Sequence, residues 1–159
     1  MGKRENVWLA VAGIVVAEDG KWLVVKKRYG GLKGKWSFPA GFVEANETVD
    51  EAVVREVYEE TGVKVEVEGL IGVRSGVIKE SISDNMLLFL CTPQNLNVMS
   101  QKEELFDAAF KSLEELENDP DSSLLIHYCA KLPNLSLLKE TKALNPGRIF
   151  NYSSYKLFF

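Results

Sequence analysis

Three glutamates lie within one turn of a predicted helix. Glu56, Glu59 and Glu60 have the spacing i, i+3 and i+4 within the segment 48–61. At about 100° per residue, this spacing places them in one sector of the helix. Arg55 is the only basic residue of the segment, and one guanidinium does not neutralise the set. Clustered carboxylates raise one another's pKa values unless a cation lies among them.

A hard divalent cation suits such a cluster. Oxygen ligands select Mg²⁺ or Mn²⁺ over softer metals, and a metal that bridges phosphate oxygens supports hydrolysis at phosphorus. The alternative is a solvated helix face, because glutamate-rich helices are common and charged residues are mostly exposed. On the helix pattern alone, the solvated face is the favoured interpretation.

The helix that carries these residues has recognisable ends. Thr48 and Glu51 match a capping box and predict the N-terminus, and Gly62 suits the left-handed residue that follows a C-terminus. Val53 and Val57 fall in a different sector from the glutamates. The helix is therefore expected to pack its valines on a core and to present its carboxylates elsewhere.

The remaining chain alternates between strand and helix patterns. Strands are predicted at 7–17, 21–28, 63–78 and 85–93, a loop with a short strand at 101–110, and short helices at 112–120 and 122–132. Asp19-Gly20 favours a hairpin between the first two strands. This order predicts an α/β (α+β) sandwich around a mixed sheet.

Composition limits the possible functions. A chain of 159 residues favours a single domain, 1–159, in which the extension 133–159 has no assigned structure. A net charge of -4 argues against general nucleic-acid binding, and no apolar run reaches the roughly 18 residues of a membrane span. Cys91 and Cys129 lack metal-binding spacing, so they are interpreted as reduced, buried thiols in a cytoplasmic protein.

The acidic stretch resembles the signature of the Nudix hydrolases (MutT-like proteins). The fixed positions of that signature are occupied by Gly41, Glu47, Arg55, Glu56, Val57, Glu59, Glu60, Gly62 and Val63. Seven specified residues, each at about 7% abundance, would coincide roughly once in 10⁸ frames. The resemblance, which covers roughly residues 6–118, therefore outweighs the solvated-face interpretation.

The resemblance implies an α/β/α sandwich with a central mixed sheet. It also implies hydrolysis of a pyrophosphate linkage in a nucleoside diphosphate compound, with Mg²⁺ or Mn²⁺ as cofactor. Glu59 and Glu60 would bind the metal, and Glu56 would bind a second ion or orient the attacking water. Arg55 would hold the carboxylates in place.

Further site residues follow from the same resemblance. Gly41 would permit a tight loop-to-helix geometry, while Glu47 and Gly62 would support the site. Ala40 stands where a glycine is common, and its backbone carbonyl would still serve as a metal ligand. A late carboxylate is expected to act as base or ligand. Glu104 is our choice and Glu103 the reserve, with the alternative that these glutamates are solvated charges.

Four residues outside the motif are candidate substrate contacts: Arg28, Trp36, Phe38 and Arg74. Arg28 ends the basic run 26–28 beside a glycine-rich loop, where it could bind phosphates or form a charged sheet edge. Trp36 and Phe38 could stack on a base or pack in the core.

The substrate is less defined than the chemistry. Markers of ADP-ribose, dinucleoside polyphosphate and coenzyme A hydrolases are not apparent, which favours a nucleoside triphosphate. ADP-ribose and sugar nucleotides stay open, as does a capped or triphosphorylated RNA end. The alternative function is a Nudix-like module that senses a nucleotide without cleaving it, although no carboxylate is missing. The aromatic tail predicts either a cover for the sheet or a homodimer contact.

Overall fold

The computed structural model describes residues 4–141 and 144–159. The elements in chain order are β1 (Val7–Val15), β2 (Trp22–Lys27), β3 (Trp36–Ser37), β4 (Ala40–Phe42), α1 (Val49–Thr61), β5 (Val65–Ile78), β6 (Ile82–Pro93), β7 (Leu105–Lys111), α2 (Leu113–Asn118), α3 (Leu124–Ala130), β8 (Glu140–Thr141) and β9 (Leu157–Phe158). No helix among these residues is long and apolar enough to cross a membrane.

A four-stranded mixed sheet forms the centre. Its order is β4-β1-β6-β5. β1 and β6 run parallel over their length, whereas β4 and β5 pair antiparallel with their neighbours. A second, antiparallel sheet has the order β3-β2-β7, and the Asp19-Gly20 turn joins β1 to β2. The predicted mixed sheet is therefore confirmed.

One face of the sheets packs against α1. Val11 and Leu23 project from β1 and β2 into a buried cluster with Val53 and Val57 of the helix. Alternate strand residues point to opposite faces, so this face collects every second side chain. Burial of each such side chain contributes about 1.5–3 kcal/mol of hydrophobic stabilisation, and the valine stripe thereby fixes the rotation of α1.

The opposite face packs against the two short helices. Ile14 and Val24, each adjacent in sequence to a residue of the α1 face, lie in a second buried cluster with Leu116 of α2 and Ile126 of α3. Helices thus cover both faces of the sheet. The α/β/α sandwich expected from the resemblance is confirmed.

The ends of α1 are as predicted. The Glu51 carboxylate accepts a hydrogen bond of 3.2 Å from the Thr48 N–H. Gly62 has a φ of 72°, and its N–H donates to the Tyr58 carbonyl at 2.8 Å. The left-handed conformation is costly for residues that carry a Cβ, which explains a glycine at this helix end.

The C-terminal tail folds back onto the domain. Leu138 and Leu70 exchange two main-chain hydrogen bonds of 2.8 and 2.9 Å, and the Phe158 ring packs edge to face against Phe89 at 5.6 Å. Phe158 therefore covers the sheet, which is one of the two roles expected for the aromatic tail. Nothing in a single chain tests the dimer contact.

Lys156 ties the tail to the start of α1. Its ammonium donates to Asp50 Oδ2 at 2.8 Å and to Thr48 Oγ1 at 3.2 Å. Burial raises the pKa of Asp50, but the hydrogen bonds from Lys156 and Thr48 outweigh it and leave that pKa below its usual value. The ion pair thus stabilises the fold wherever Asp50 is ionised.

We predict that Lys156→Met lowers the free energy of unfolding by about 2 kcal/mol at neutral pH, compared with the exposed Lys64→Met as control. Because the folded-state pKa of Asp50 is depressed, the advantage of the wild type is present above the ordinary pKa of 3.8 and is lost as the pH falls below it. Urea unfolding at neutral pH and at about pH 3 measures both effects. Equal stability of the two variants at neutral pH would contradict the assignment.

Candidate functional site

Arg55 is the centre of a carboxylate network beside the first turns of α1. Its guanidinium donates to both oxygens of Glu47 at 2.6 and 2.8 Å, to Glu56 Oε1 at 2.7 Å and to Glu59 Oε2 at 3.1 Å. A further bond of 3.0 Å reaches the Phe42 carbonyl. The planar fork of arginine suits such a task because it offers several donors in fixed directions.

This network shifts the pKa values of its members. The hydrogen bond to Glu47 raises the pKa of Arg55 further above its usual range, and the same bond lowers the pKa of Glu47. Glu56 differs, because burial raises its pKa more than Arg55 lowers it. The bond to Arg55 therefore favours the ionised form of Glu47, whereas burial favours the neutral form of Glu56.

Gly41 lets the backbone of β4 approach Glu56. A Cβ added to Gly41 would overlap the carboxylate group of Glu56, whose side chain is only 15% exposed. The requirement for glycine at this position is therefore one of space. It explains in physical terms the role expected for Gly41.

Glu60 is the most buried carboxylate of α1. Its Oε1 accepts a hydrogen bond of 2.5 Å from the Lys27 ammonium, while Oε2 has no hydrogen-bond partner among the described residues. Burial raises the pKa of Glu60 to about 7, against the opposing effect of Lys27. A buried carboxylate oxygen without a partner is costly, so this atom is suited to a ligand that the chain itself does not supply.

Ala40 presents its backbone polar groups beside the same carboxylate. The Gly13 N–H bonds the Pro39 carbonyl at 3.0 Å, so the next pair, Ala12 with Ala40, is a non-hydrogen-bonded pair of the antiparallel ladder. The N–H and carbonyl of Ala40 therefore point away from β1. A backbone hydrogen bond from Ala40 is also among the effects that lower the pKa of Glu60.

A groove of about 900 Å³ adjoins the carboxylates. Lys27, Ala40 and Gly41 line its end nearest α1. Its other walls are mostly apolar and include Trp8, Tyr29, Leu32, Phe38, Phe42, Met86, Leu124 and Tyr128. Arg74 and Asp84, which form an ion pair of 2.7 Å, add polar groups to the lining.

The chain matches a known family over most of its length. A family model for the NUDIX domain covers residues 7–129. This chain belongs to the Nudix family. The acidic helix, its cap and the Gly41 loop are thus the Nudix motif in three dimensions.

The Nudix assignment agrees with individual relatives. A MutT-like protein of Streptomyces ambofaciens is 40% identical over 85 residues, which cover 54% of this chain and 51% of that protein. An ADP-ribose pyrophosphatase of Methanocaldococcus jannaschii is 49% identical over 67 residues, 42% of this chain and 39% of that protein. These matches span about half or less of the relatives' own lengths.

A solved structure shares the fold. The crystal structure of a Nudix hydrolase from Nitrosomonas europaea superposes with a TM-score of 0.66 at 30% identity. The aligned region covers 78% of this chain and 68% of that one. The present Nudix protein therefore shares the overall fold of a solved Nudix hydrolase.

The donor set of the Nudix motif fits a hard divalent cation. Glu56, Glu59 and Glu60 offer carboxylate oxygens, and the Ala40 carbonyl faces away from its strand partner, which are the donors that Mg²⁺ prefers. Within 4–141 and 144–159, no group of three or more His, Cys, Asp or Glu side chains is gathered as a metal site. Arg55 and Lys27 pair with the carboxylates instead, and among the described residues Glu60 Oε2 is the one buried carboxylate oxygen left without a hydrogen-bond partner.

The structure separates the four predicted substrate contacts. Phe38 and Arg74 line the groove, but Trp36 does not. Trp36 is only 5% exposed, and the ammonium groups of Lys26 and Lys111 lie over its ring at 5.3 and 4.7 Å. Trp36 is therefore a core residue rather than a base-stacking surface, because its place in β3 turns the ring toward α3.

Arg28 is also engaged away from the groove. Its Nε donates to the Leu105 carbonyl at 2.9 Å, and the guanidinium lies 4.6 Å from the Phe106 ring. Lys27 is the member of the basic run that reaches the site. Strand alternation could have identified it, because Lys27 is two residues after Val25 and so shares the α1 face.

The Glu104 carboxylate makes no hydrogen bond or ion pair with the other described residues. Its loop nevertheless runs beside α1, since the Gln101 N–H bonds the Glu60 carbonyl at 3.3 Å. The Glu104 carbonyl accepts a bond of 2.9 Å from the Arg28 N–H. Its role as the late carboxylate stays a prediction.

We predict that Gly41→Ala lowers the free energy of unfolding by about 1–3 kcal/mol, the usual cost of overpacking. The same substitution in a Glu56→Ala background should cost less than half as much, because the overlapping carboxylate has been removed. Urea unfolding of the four proteins measures the coupling. Gly76→Ala is the control, since a Cβ there meets nothing within 4 Å. An equal loss in both backgrounds would show that Glu56 is not the obstacle.

Proposed function

We propose that this protein is a Nudix pyrophosphohydrolase that cleaves a pyrophosphate linkage in a nucleoside diphosphate derivative, with Mg²⁺ or Mn²⁺ as cofactor. The observation that carries the proposal is the buried, unpartnered Oε2 of Glu60, which shares a helix sector with Glu56 and Glu59 and whose partner Lys27 lines a groove. Membership of the Nudix family supports it, as does a relative named as a pyrophosphatase.

The residues of α1 and β4 would have separate roles in binding the cation and in holding its ligands. Glu56, Glu59, Glu60 and the Ala40 carbonyl would hold the cation. When bound, the cation offsets negative charge on the phosphate oxygens and lowers the pKa of a coordinated water. Arg55 keeps Glu56 and Glu59 in place through hydrogen bonds of 2.7 and 3.1 Å. Such fixed positioning avoids reorganisation during the reaction.

Glu56 and Glu104 would act on the attacking water. Glu56 would also orient the attacking water, because its carboxylate is held by Arg55 and by the close approach of Gly41. Glu104 would accept the proton of that water, which requires its loop to bring the carboxylate toward α1. General-base assistance of this kind contributes typically 10²–10⁴-fold.

The apolar groove supports a nucleoside as the larger half of the substrate. Aromatic walls such as Trp8 and Phe42 offer flat surfaces on which a base can stack. The second sugar of a sugar nucleotide would bring further hydroxyls into this mostly apolar groove, where Arg74 and Asp84 already pair with each other, and unpaired hydroxyls are costly to bury. A nucleoside triphosphate is therefore the favoured substrate. ADP-ribose is the second candidate, because the Methanocaldococcus relative is named for it.

A reducing, cytoplasmic location is proposed from the cysteines. Cys91 and Cys129 are both free and buried, and burial raises the pKa of the Cys91 thiol to about 12. Thiols of this kind are unreactive packing groups, and unpaired cysteines are usual in reducing compartments.

We predict that Glu60→Gln lowers kcat by about 10³-fold, because loss of metal-based charge stabilisation removes several kcal/mol. The control is Glu117→Gln, an exposed residue of α2, which should retain full activity. Release of phosphate or pyrophosphate is measured with Mg²⁺ across nucleoside triphosphates, ADP-ribose, sugar nucleotides and 5′-triphosphorylated RNA. Unchanged turnover in Glu60→Gln would remove the assigned site, and tight nucleotide binding without turnover in the wild type would favour a sensing module.

We predict that Trp8→Ala raises KM for the nucleoside substrate by about tenfold with little change in kcat, as expected for loss of one base-stacking contact of 1–3 kcal/mol. Phe150→Ala, an exposed aromatic of the tail, is the matched control and should leave KM unchanged. Steady-state kinetics on the substrate that the wild type hydrolyses fastest measure KM and kcat of both variants. A fall in kcat alone would place the base elsewhere.

A further inference from the structure

Lys27 neutralises Glu60, the member of the Glu56, Glu59 and Glu60 cluster that Arg55 does not reach. The hydrogen bonds of Arg55 go to Glu47, Glu56, Glu59 and Phe42. Among the described residues, Lys27 is the only side chain that donates to the Glu60 carboxylate, at 2.5 Å. The two side chains are 25% and 6% exposed, so the pair lies at the inner wall of the site.

A β-bulge of β7 lies opposite Lys27. The pairing of β2 with β7 shifts between Lys26, which faces Asp107, and Lys27, which faces Leu105, so that Phe106 is the extra residue. The extra residue belongs to β7, so β2 keeps its regular alternation through Lys26 and Lys27. Lys26 and Lys27 then serve different faces: the Lys26 ammonium lies over Trp36, whereas the Lys27 ammonium reaches α1.

The Lys27 ammonium stands between the carboxylates and the groove. Lys27 lines the groove together with Ala40 and Gly41, and the second oxygen of Glu60 is left without a partner. The Lys27 ammonium and a backbone hydrogen bond from Ala40 thus compensate this buried carboxylate without reaching its Oε2. This arrangement satisfies Glu60 only in part.

We propose that Lys27 is an exchangeable counter-ion: it occupies Glu60 in the metal-free protein and is displaced toward the groove when a divalent cation binds. This inference rests on the proposed function, because it assumes that Glu60 is a metal ligand. The ammonium and the cation compete for the same carboxylate, so Lys27 weakens metal binding while it protects the free protein from a buried, unpaired charge.

The displaced ammonium has a second use. Its side chain already lines the end of the groove nearest α1, which is where the phosphates of a bound nucleotide would lie. Lysine binds phosphate as a mobile point charge. Metal binding would therefore release Lys27 to the substrate, so that the groove gains a cation only after the metal has bound.

The test compares Lys27→Met with Lys26→Met, a neighbour on the same strand whose ammonium does not contact Glu60. Mg²⁺ binding without nucleotide is measured by titration calorimetry at alkaline pH, where the carboxylates of every variant are ionised. Lys27→Met should bind Mg²⁺ about tenfold more tightly than the wild type, as expected for removal of a competing close charge pair. Lys26→Met should match the wild type. A purely structural ion pair predicts unchanged or weaker binding in Lys27→Met, which would overturn the proposal.

Thermal unfolding and kinetics give independent readouts. Without metal, Lys27→Met should unfold at a lower temperature than Lys26→Met, and Mg²⁺ should raise its Tm by more than it raises that of the wild type. With nucleotide, KM of Lys27→Met should rise although the metal binds more tightly. A KM equal to that of the wild type would overturn the role of Lys27 toward phosphate.

A measurement on the intact chain covers the case in which Lys27→Met does not fold. In the protein with ¹³C-methylated lysines, the Lys27 resonance, assigned with Lys27→Arg, should shift on addition of Mg²⁺, whereas the Lys26 resonance should not. Hydrolysis by a wild type in which Lys27 does not respond to Mg²⁺ overturns the exchange alone. A wild type that neither binds Mg²⁺ nor hydrolyses any nucleotide overturns the proposed function as well.

Discussion

Repulsion among the carboxylates of α1 is the constraint on which this structure depends. Glu56, Glu59 and Glu60 share one sector of a helix, and the protein holds them with two cations of different kinds. Arg55 is a rigid fork that binds Glu56 and Glu59 together with Glu47 of the preceding loop. The Lys27 ammonium, by contrast, makes one contact with Glu60. Arg55 fixes the positions of the carboxylates that it binds. Lys27 leaves the buried Oε2 of Glu60 without a hydrogen-bond partner.

Holding the carboxylates also requires α1 to keep a fixed place against the sheet. At its C-terminus, main-chain bonds from the 99–101 loop reach the carbonyls of Thr61 and Glu60 at 2.7 and 3.3 Å. At its N-terminus, Lys156 binds Asp50 and Thr48. The tail, which lies beyond the matched region 7–129, therefore helps to hold α1 in position. Stability of the domain and geometry of the site are linked through these contacts.

The groove begins beside the carboxylates and offers the space that a substrate would occupy. Ala40 and Gly41 belong both to the edge strand that approaches Glu56 and to the groove wall. The three residues of β4 thus lie between the carboxylates and the groove. Beyond the charged groups, the walls of the groove are mostly apolar. In such an arrangement, a polyphosphate placed at Lys27 would direct its larger, less polar half toward Trp8 and Phe42.

Local signals in the sequence determined the order of the longer strands and the helices, the ends of α1 and the clustering of its glutamates, because capping, strand alternation and helical spacing each act over a few residues. They did not predict the short strands β3, β4, β8 and β9. Those signals also sufficed for the fold class and the family. Alternation along β2 separates Lys27 from Arg28, but only the tertiary structure decided that Lys27 meets Glu60, that Trp36 is buried and that the tail supports α1. Lys27 and Glu60 are 33 positions apart, and Lys156 and Asp50 are 106 apart. Such contacts depend on the packing of β2 against α1 and on the path of the tail, which no short stretch of sequence encodes.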